Sequence, residues 1–366
     1  MADHGVQCTV IHPWKWHDWW RERRQAEVEG SRMVGAVRVI RPLTLSLSNR
    51  RIGPWNSFRF TQRRFQASVG RGLRSLTGGV DAVYGHFLYP AGAAAVWAGG
   101  RLGRPAFVAV GESFAGEASG LWTLRPVGEA RARRQLAGAA GFVAVSSQLR
   151  EQLGVQLGVS ADRCRVFPNG VDPRRFFPRD RRAMRRKHGL PEDRFLVGYV
   201  GVFDERKGVQ RVCRAMQGLS GVSGVFVGRG PQPPVGEQVA FCGQVPHAEV
   251  PELLSAADCF VLPSLAEGSS NATLEAMACG LPVVVADRAF NRDICDAGCA
   301  VLVDPEDVAA IRTGVERLWR EPETRDRLAR AALVRAAGFD VRRRAEGILN
   351  WMADRSVSSG VQPLLT

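Results

Sequence analysis

The stretch from Ala257 to Asp287, ADCFVLPSLAEGSSNATLEAMACGLPVVVAD, constrains the fold more than any other part of the chain. Its first apolar run, Cys259–Leu262, stops at a proline and predicts a buried strand. A short loop rich in glycine and serine follows, and a helix is predicted to begin near Asn271. A second buried strand is predicted over Pro282–Val285. Strand, helix and strand in this order predict one unit of a parallel sheet.

The start of this helix is a candidate site for an anion. Asn271 is a suitable N-cap, and the bare N–H groups and the positive end of the helix dipole would then face the loop, where phosphate binds readily. Glu267 lies in the loop and Glu275 about one turn into the helix, so both carboxylates could reach a ligand over the helix start. The alternative is that both are solvated surface charges. Small residues fill the loop between them: Gly268, Ser269 and Ser270.

The flanks of this loop carry a family resemblance. From Leu262 to Val284, a strand ending in PS, then EG, a small polar loop and LEAMACGLPVV resemble the donor-site signature of the family-4 retaining glycosyltransferases, which have the GT-B fold. The resemblance implies a nucleotide-sugar donor, UDP- or GDP-linked, with its diphosphate at the helix start. It also implies that Glu275 accepts hydrogen bonds from the ribose and Glu267 from the hexose.

A second candidate contact with the diphosphate follows the predicted strand Phe195–Gly201. The strand runs into a glycine turn and then DERKG, which suits a diphosphate because glycines permit close approach and a basic side chain supplies charge. Only three of the fifty basic residues are lysines, so Lys207 is an exception in this chain. The resemblance implies that a lysine and an arginine hold the diphosphate. Lys207 matches the lysine, whereas the arginine position is Val202, and Arg206 is the candidate substitute.

Two further strand ends complete the predicted donor pocket. Gly201 closes the strand before the lysine, and Gly228 ends a strand in the turn VGRGP, which resembles the family's border of the base pocket. The backbone around Gln244 and Val245 is expected to face the nucleobase. His247 is interpreted as a residue at the entry of the next helix rather than as a catalyst.

The N-terminal half offers candidates for the acceptor side. One predicted strand ends at His86, and a Gly-Glu-Ser sequence follows the next strand. The resembling family has a histidine where this chain has Gly111 or Glu112, so His86, Glu112 and Ser113 are the candidate acceptor-side contacts. The alternative for His86 is a structural histidine at a strand end. The family's first strand and its glycine-rich loop have no counterpart in this sequence.

Positive charge is concentrated in the same half. Residues 1–170 contain 23 Lys+Arg against 11 Asp+Glu, which gives +12 of the total of +14. This predicts an anionic partner, either an acidic bilayer, a lipid-linked phosphate acceptor or an acidic polysaccharide, and no nucleic-acid-binding motif accompanies the charge. Four tryptophans beside arginines fit a membrane interface: Trp14, Trp16, Trp19 and Trp20. The alternatives are a solvated basic surface and tryptophans packed on the domain.

These patterns together predict an α/β protein of the GT-B type, with two Rossmann-like doubly wound domains facing across a cleft. The expected units are an acceptor-side domain over residues 1–175, a donor domain over 190–338, and a terminal helix over 339–355 that crosses back to the first domain. No run of eighteen apolar residues occurs, so no membrane-spanning helix is expected. The expected location is the cytoplasm, with peripheral contact at the inner face of the membrane as an option.

The expected activity is that of a retaining hexosyltransferase acting on a glycan or lipid-linked acceptor in cell-surface polysaccharide or glycoconjugate synthesis. No Asp-x-Asp motif occurs. We therefore expect no metal ion and no cofactor, with positive charge from Lys207, Arg206 and the helix start. The missing family strand, Gly111 and Val202 leave open a catalytically impaired nucleotide-sugar-binding assembly subunit. A sugar-nucleotide epimerase would need further carboxylates in the first domain.

Overall fold

The computed structural model describes residues 5–16, 31–47, 51–52, 55–76, 78–111, 121 and 124–358. Two of the predicted site residues, Glu112 and Ser113, lie outside the described residues, as do Trp19 and Trp20.

The first described segments form a small lobe. Its elements are β1 (Thr9–Ile11), β2 (Trp14–Lys15), β3 (Ser31–Val34), β4 (Val37–Ile40), β5 (Leu43–Thr44), β6 (Arg51–Ile52), β7 (Trp55–Asn56) and helix α1 (Ser57–Arg74). Strand β1 pairs in parallel with β4, and β3 and β4 form an antiparallel hairpin. Helix α1 packs on β1 where Gly72 leaves room, because a Cβ there would lie 2.7 Å from Ile11 Cγ2. These described strands pair only with one another.

A four-stranded parallel sheet follows, in the order β11-β10-β9-β8. Its strands are β8 (Val83–His86), β9 (Ala106–Val110), β10 (Gly141–Ala144) and β11 (Cys164–Val166), with helices α2 (Ala93–Leu102), α3 (Glu129–Leu136) and α4 (Ser147–Leu157). The two central strands are wholly buried apolar runs, as expected of parallel strands covered on both faces. Ser146 caps α4, since its Oγ accepts a hydrogen bond from Leu149 N.

The second half contains a six-stranded parallel sheet. Its elements are α5 (Arg181–Lys187), β12 (Phe195–Val202), α6 (Val209–Met216), β13 (Val222–Arg229), β14 (Val239–Gly243), α7 (Val250–Ala256), β15 (Cys259–Leu262), α8 (Asn271–Ala278), β16 (Val283–Ala286), β17 (Ala300–Val303), α9 (Val308–Arg320) and α10 (Pro322–Ala336). The strand order is β14-β13-β12-β15-β16-β17. Numbered from β12, this is the order 3-2-1-4-5-6 of a dinucleotide-binding sheet. All strands are parallel, and the order in which the chain adds strands reverses between β12 and β15.

Both strands predicted within the stretch from Ala257 to Asp287 are present. The first occupies Cys259–Leu262 as expected, and the second occupies Val283–Ala286, one residue later than predicted. All eight residues of these two strands are buried, because helices cover both faces of the sheet.

The two halves are joined by the C-terminal helix α11 (Val341–Ser358). Trp351 of this helix packs edge-on against Phe107 of β9 and against Phe167, with ring centroids 5.8 and 6.2 Å apart. A further contact lies at the start of α4, where Ser147 N and Oγ donate to the two carboxylate oxygens of Asp293 at 2.7 and 2.6 Å. Within the described ranges, no helix is long and apolar enough to cross a membrane.

Replacing Trp351 with alanine should lower the free energy of unfolding by about 3 to 5 kcal/mol, because a large buried aromatic side chain leaves a cavity between the helix and the first sheet. Urea unfolding followed by circular dichroism measures the change. Asn350→Ala, at an exposed position of the same helix, is the control and should change the free energy by less than about 0.5 kcal/mol. Equal effects of the two substitutions would contradict this role of Trp351.

Candidate functional site

The candidate site lies where the strand order of the second sheet reverses. The loop after β12 and the loop after β15 both leave the carboxyl edge of the sheet at this point, which is where open α/β sheets bind ligands. Leu265 N donates to Arg206 O at 2.8 Å, so the two loops are in direct contact. Gly208 permits this approach: its φ is +76°, and a Cβ there would lie 2.8 Å from Pro263 O.

An ion pair between Lys207 and Glu267 forms the centre of the site. Lys207 Nζ donates to Glu267 Oε1, and Ser264 Oγ donates to the same carboxylate oxygen at 2.9 Å. The side chains of Lys207 and Glu267 are only 15% and 9% exposed. Asp204 Oδ1 accepts from Lys207 N at 2.8 Å and fixes the turn that presents the lysine. The structure therefore brings together two predicted site residues that are sixty positions apart in sequence.

Arg206 lies beside this pair. Its Nη1 donates to Ala266 O at 3.0 Å and lies 3.9 Å from Glu267 Oε2. The side chain is turned toward the loop after β15, which is the orientation that a substitute for the family's arginine requires. Val202, at the family's arginine position, is exposed at the end of β12. One guanidinium group and one ammonium group thus flank the buried carboxylate of Glu267.

The N-cap of α8 is Ser270, so the prediction that Asn271 caps this helix is wrong. Ser270 has an extended backbone, and its Oγ accepts from Thr273 N at 3.3 Å. Asn271 is the exposed first residue of the helix itself. Serine and asparagine both cap helices well. The Ser270 hydroxyl also accepts a buried hydrogen bond from Thr273 Oγ1 at 2.9 Å, which helps to hold the serine at the cap. The helix start still faces the loop that contains Gly268 and Ser269.

This loop is also held by Asn169, the middle residue of a Pro-Asn-Gly sequence at the end of the first half. Asn169 Nδ2 donates to Ser269 O at 3.1 Å, and Asn169 N donates to Ser269 Oγ at 3.4 Å. Ser269 is buried. The loop of the second half is therefore fixed by a residue of the first half. The only sequence signal was the Pro-Asn-Gly turn, which says nothing about a partner a hundred residues away.

Glu275 lies inside α8 with most of its side chain buried. Burial raises the pKa of Glu275 to about 7, and the positive charge of Arg175 opposes the rise. His247 Nε2 lies 3.6 Å from Glu275 Oε1, and the His247 ring packs edge-on against Phe176 at 5.6 Å. His247 does stand just before α7, but its contact with Glu275 was missed, because nothing in the local pattern links the two positions.

The predicted base-pocket residues lie at neighbouring strand ends. Gly201 and Gly228 are opposite each other on β12 and β13. A Cβ on Gly228 would lie 1.9 Å from Gly201 O, so only glycine fits this position. Gln244 and Val245 follow β14 at the outer edge of the sheet, where Gln244 is exposed and Val245 is half-buried against the core.

Of the three predicted acceptor-side contacts, only His86 lies among the described residues. It ends β8, at the edge of the first sheet, and its ring packs edge-on against Tyr84 at 5.2 Å. Burial lowers the pKa of His86, and the nearby charge of Arg344 lowers it further. A Cβ on Gly111 would meet only ordinary contacts with Val145 and Phe87, so the packing does not require glycine there.

Two parallel sheets with covering helices, the second with a switch point lined by cations and a carboxylate, fit the GT-B class of protein. Family models agree with this class: one described as Glycosyltransferase Family 4 matches residues 1–175, and one described as Glycosyl transferases group 1 matches residues 180–335. The chain belongs to the family-4 glycosyltransferases of the GT-B fold.

Similar proteins include a Bacillus subtilis glycosyltransferase named for teichuronic acid biosynthesis, TuaC, which is 28% identical over 78% of this chain and 74% of its own. A D-inositol 3-phosphate glycosyltransferase of Pseudarthrobacter chlorophenolicus is 30% identical over 58% of this chain. The chain matches only 54% of that relative's length.

Solved structures share the fold. Sucrose-phosphate synthase from Thermosynechococcus elongatus superposes with a TM-score of 0.76 at 20% identity, over 98% of this chain and 91% of that chain. Anabaena HepE in complex with UDP-glucose superposes with a TM-score of 0.65 at 20% identity, over 87% of this chain and 86% of that chain. These likenesses confirm the predicted fold class.

The raised pKa of Glu275 makes stability depend on pH. The folded protein keeps this carboxyl protonated up to about pH 7, whereas the unfolded chain releases the proton near the ordinary glutamate pKa of 4.5. The resulting contribution is fully present below about pH 4.5 and is lost as pH rises through 7, a loss of about 3 kcal/mol. Glu275→Gln should therefore stabilise the protein relative to wild type at pH 8 but not at pH 4.5, as measured by urea unfolding. The same difference at both pH values would contradict a buried, neutral Glu275.

Proposed function

We propose that this protein is a retaining glycosyltransferase that moves a hexose from a nucleotide sugar to a glycan or lipid-linked acceptor, without a divalent metal ion. The observation that carries the proposal is the Lys207–Glu267 pair at the switch point of the second sheet, next to the start of α8. This arrangement places a cation that can bind a diphosphate in direct contact with a carboxylate that can accept hydrogen bonds from sugar hydroxyls.

Each part of the donor meets a suitable group. The diphosphate would lie over the start of α8, within reach of Lys207 and Arg206. The buried Glu267 would accept hydrogen bonds from the hexose, and Glu275 would bind the ribose. The strand ends at Gly201 and Gly228, together with the backbone at Gln244 and Val245, would border the base. All four residues belong to, or directly follow, the strands β12, β13 and β14, which lie on one side of the point where the strand order reverses.

Catalysis would come from electrostatics at the diphosphate. Negative charge grows on the leaving diphosphate as the sugar–oxygen bond breaks, and preorganised cations and helix N–H groups stabilise such charge. Lys207 is already held by Glu267 and by the Asp204 turn, so little reorganisation is needed when the donor binds. Lys207, Arg206 and the helix start would together supply the positive charge that a metal ion supplies in other transferases.

The donor and acceptor classes rest on the similar proteins. The complex of HepE with UDP-glucose supports a UDP-linked hexose, with a GDP-linked one as the second choice. The name of TuaC supports an acceptor in cell-surface polysaccharide synthesis. On the acceptor side, His86 is the described candidate, and Glu112 and Ser113 remain candidates from the sequence.

Lys207→Ala should lower turnover by about 10²-fold in a transfer or donor-hydrolysis assay, because one preorganised charge is lost from the leaving group. Lys187→Ala is the matched control: Lys187 also forms an ion pair, with Glu252, but lies exposed on α5. Its turnover should stay within a factor of two or so of wild type. Near wild-type turnover of Lys207→Ala would contradict the assigned site.

Donor binding can be measured separately from turnover. A thermal-shift panel of UDP-, GDP- and ADP-sugars should show the largest rise in unfolding midpoint with a UDP-sugar, since a ligand at about 100 times its Kd stabilises the native state by about 2.7 kcal/mol. Lys207→Ala should reduce the rise. If no nucleotide sugar shifts the midpoint, the donor site is wrong.

Val202 and Gly111 stand where the family has an arginine and a histidine, and these replacements favour a second candidate, a nucleotide-sugar-binding assembly subunit that does not turn over. Donor-dependent shifts in midpoint, with neither transfer nor hydrolysis across an acceptor panel, would establish this alternative. Measurable transfer would exclude it.

A further inference from the structure

We propose that the β3–β4 hairpin inserts its tip into the surface of an anionic lipid bilayer, with the arginines around α1 contacting the lipid headgroups. This inference concerns the N-terminal lobe and does not depend on the donor site.

The hairpin tip exposes apolar side chains. Val34 pairs with Val37, so a two-residue turn of Gly35 and Ala36 joins the strands, and Gly35 supplies the required φ of +58°. Met33 and Val34 are 60% and 53% exposed. The turn residues are exposed as well. Four consecutive exposed residues, Met-Val-Gly-Ala, thus form an apolar hairpin tip.

Basic side chains lie next to this tip. Arg38 is opposite Met33 in the hairpin, and its Nη2 donates to Ser75 O at 3.4 Å. This contact brings the hairpin to the C-terminal end of α1, whose last turn carries Arg71 and Arg74. Arg38 and the neighbouring Arg74 therefore lie on the hairpin side of this helix end, whereas Arg71 donates to Leu43 O, past the far end of β4.

The charge of the segment has one sign only. Residues 30–80 contain ten arginines and neither aspartate nor glutamate. The acidic residues of the first eighty positions all precede Gly30. On α1, the arginines at 59, 63, 64, 71 and 74 are all exposed. Basic residues near an anionic bilayer each contribute a measurable attraction, and a segment without acidic residues retains all of it.

An anionic bilayer fits both features, whereas other polyanions fit only one. An acidic polysaccharide or a nucleic acid would bind the arginines but would gain nothing from Met33 and Val34. A bilayer accepts apolar side chains below its headgroups and basic side chains among them. Further apolar exposure lies along α1, where Leu47 hydrogen-bonds through its backbone to Thr61 Oγ1 and both Leu47 and Phe60 are exposed.

The test is sedimentation of the full chain with vesicles of phosphatidylcholine alone or with a third of phosphatidylglycerol. Wild type should bind the anionic vesicles and not the neutral ones, and added salt should weaken the binding. Met33→Gln with Val34→Thr should weaken the partition constant about tenfold, since two apolar side chains no longer enter the bilayer. Arg74→Gln should weaken it about fivefold.

Matched substitutions on α10 serve as controls. Val334 is exposed to a greater degree than Val34, and Arg330 is an exposed arginine of the same helix, so Val334→Gln and Arg330→Gln should leave the binding unchanged. Unfolding midpoints and donor-induced shifts should be unchanged in every variant, which separates this result from the donor proposal. Wild type that binds neutral and anionic vesicles equally, or a tip variant that binds like wild type, would overturn the proposal. In the latter case, binding to an acidic polysaccharide would identify a polyanion as the partner instead.

Discussion

The contact between the loop after β12 and the loop after β15 is the constraint on which the candidate site depends. The two loops meet because β12 and β15 are neighbours at the reversal of strand order, and because Gly208 has no side chain to hold them apart. Lys207 can then reach Glu267, and Arg206 can bond to the backbone of Ala266. A side chain at Gly208 would separate the charges that define the site, even though Gly208 itself contacts no candidate ligand.

The two carboxylates of the loop and helix have different electrostatic environments. Glu267 is buried but receives hydrogen bonds from Lys207 and Ser264, so its charge is compensated inside the protein. Glu275 is also buried, yet its nearest basic group is His247 at 3.6 Å, and burial raises its pKa to about 7. One carboxylate is thus held in place by permanent partners, whereas the other has hydrogen-bonding capacity left for a ligand such as a ribose hydroxyl.

The halves of the molecule are connected at points that matter for the site. Asn169 of the first half bonds to Ser269 in the loop before α8, and Trp351 of the C-terminal helix anchors the second half to the first sheet. Asp293, beyond β16, bonds to the N-terminal turn of α4. The geometry of the loop before α8 therefore depends on how the halves are assembled, although almost all residues of the candidate site come from the second half.

Much of the site could be predicted from the sequence, because its elements are encoded locally. The apolar run Cys259–Leu262, the small polar loop and the rare Lys207 each carried their own signal, and the strand, the loop and the lysine lie where they were expected. Tertiary structure alone decided that Ser270 rather than Asn271 caps the helix, that Arg206 turns toward Glu267, and that Asn169 and His247 reach the site. The reason is physical: apolar periodicity and turn chemistry act between residues a few positions apart, whereas these four outcomes depend on which of several competent polar groups the packed fold brings within hydrogen-bonding distance.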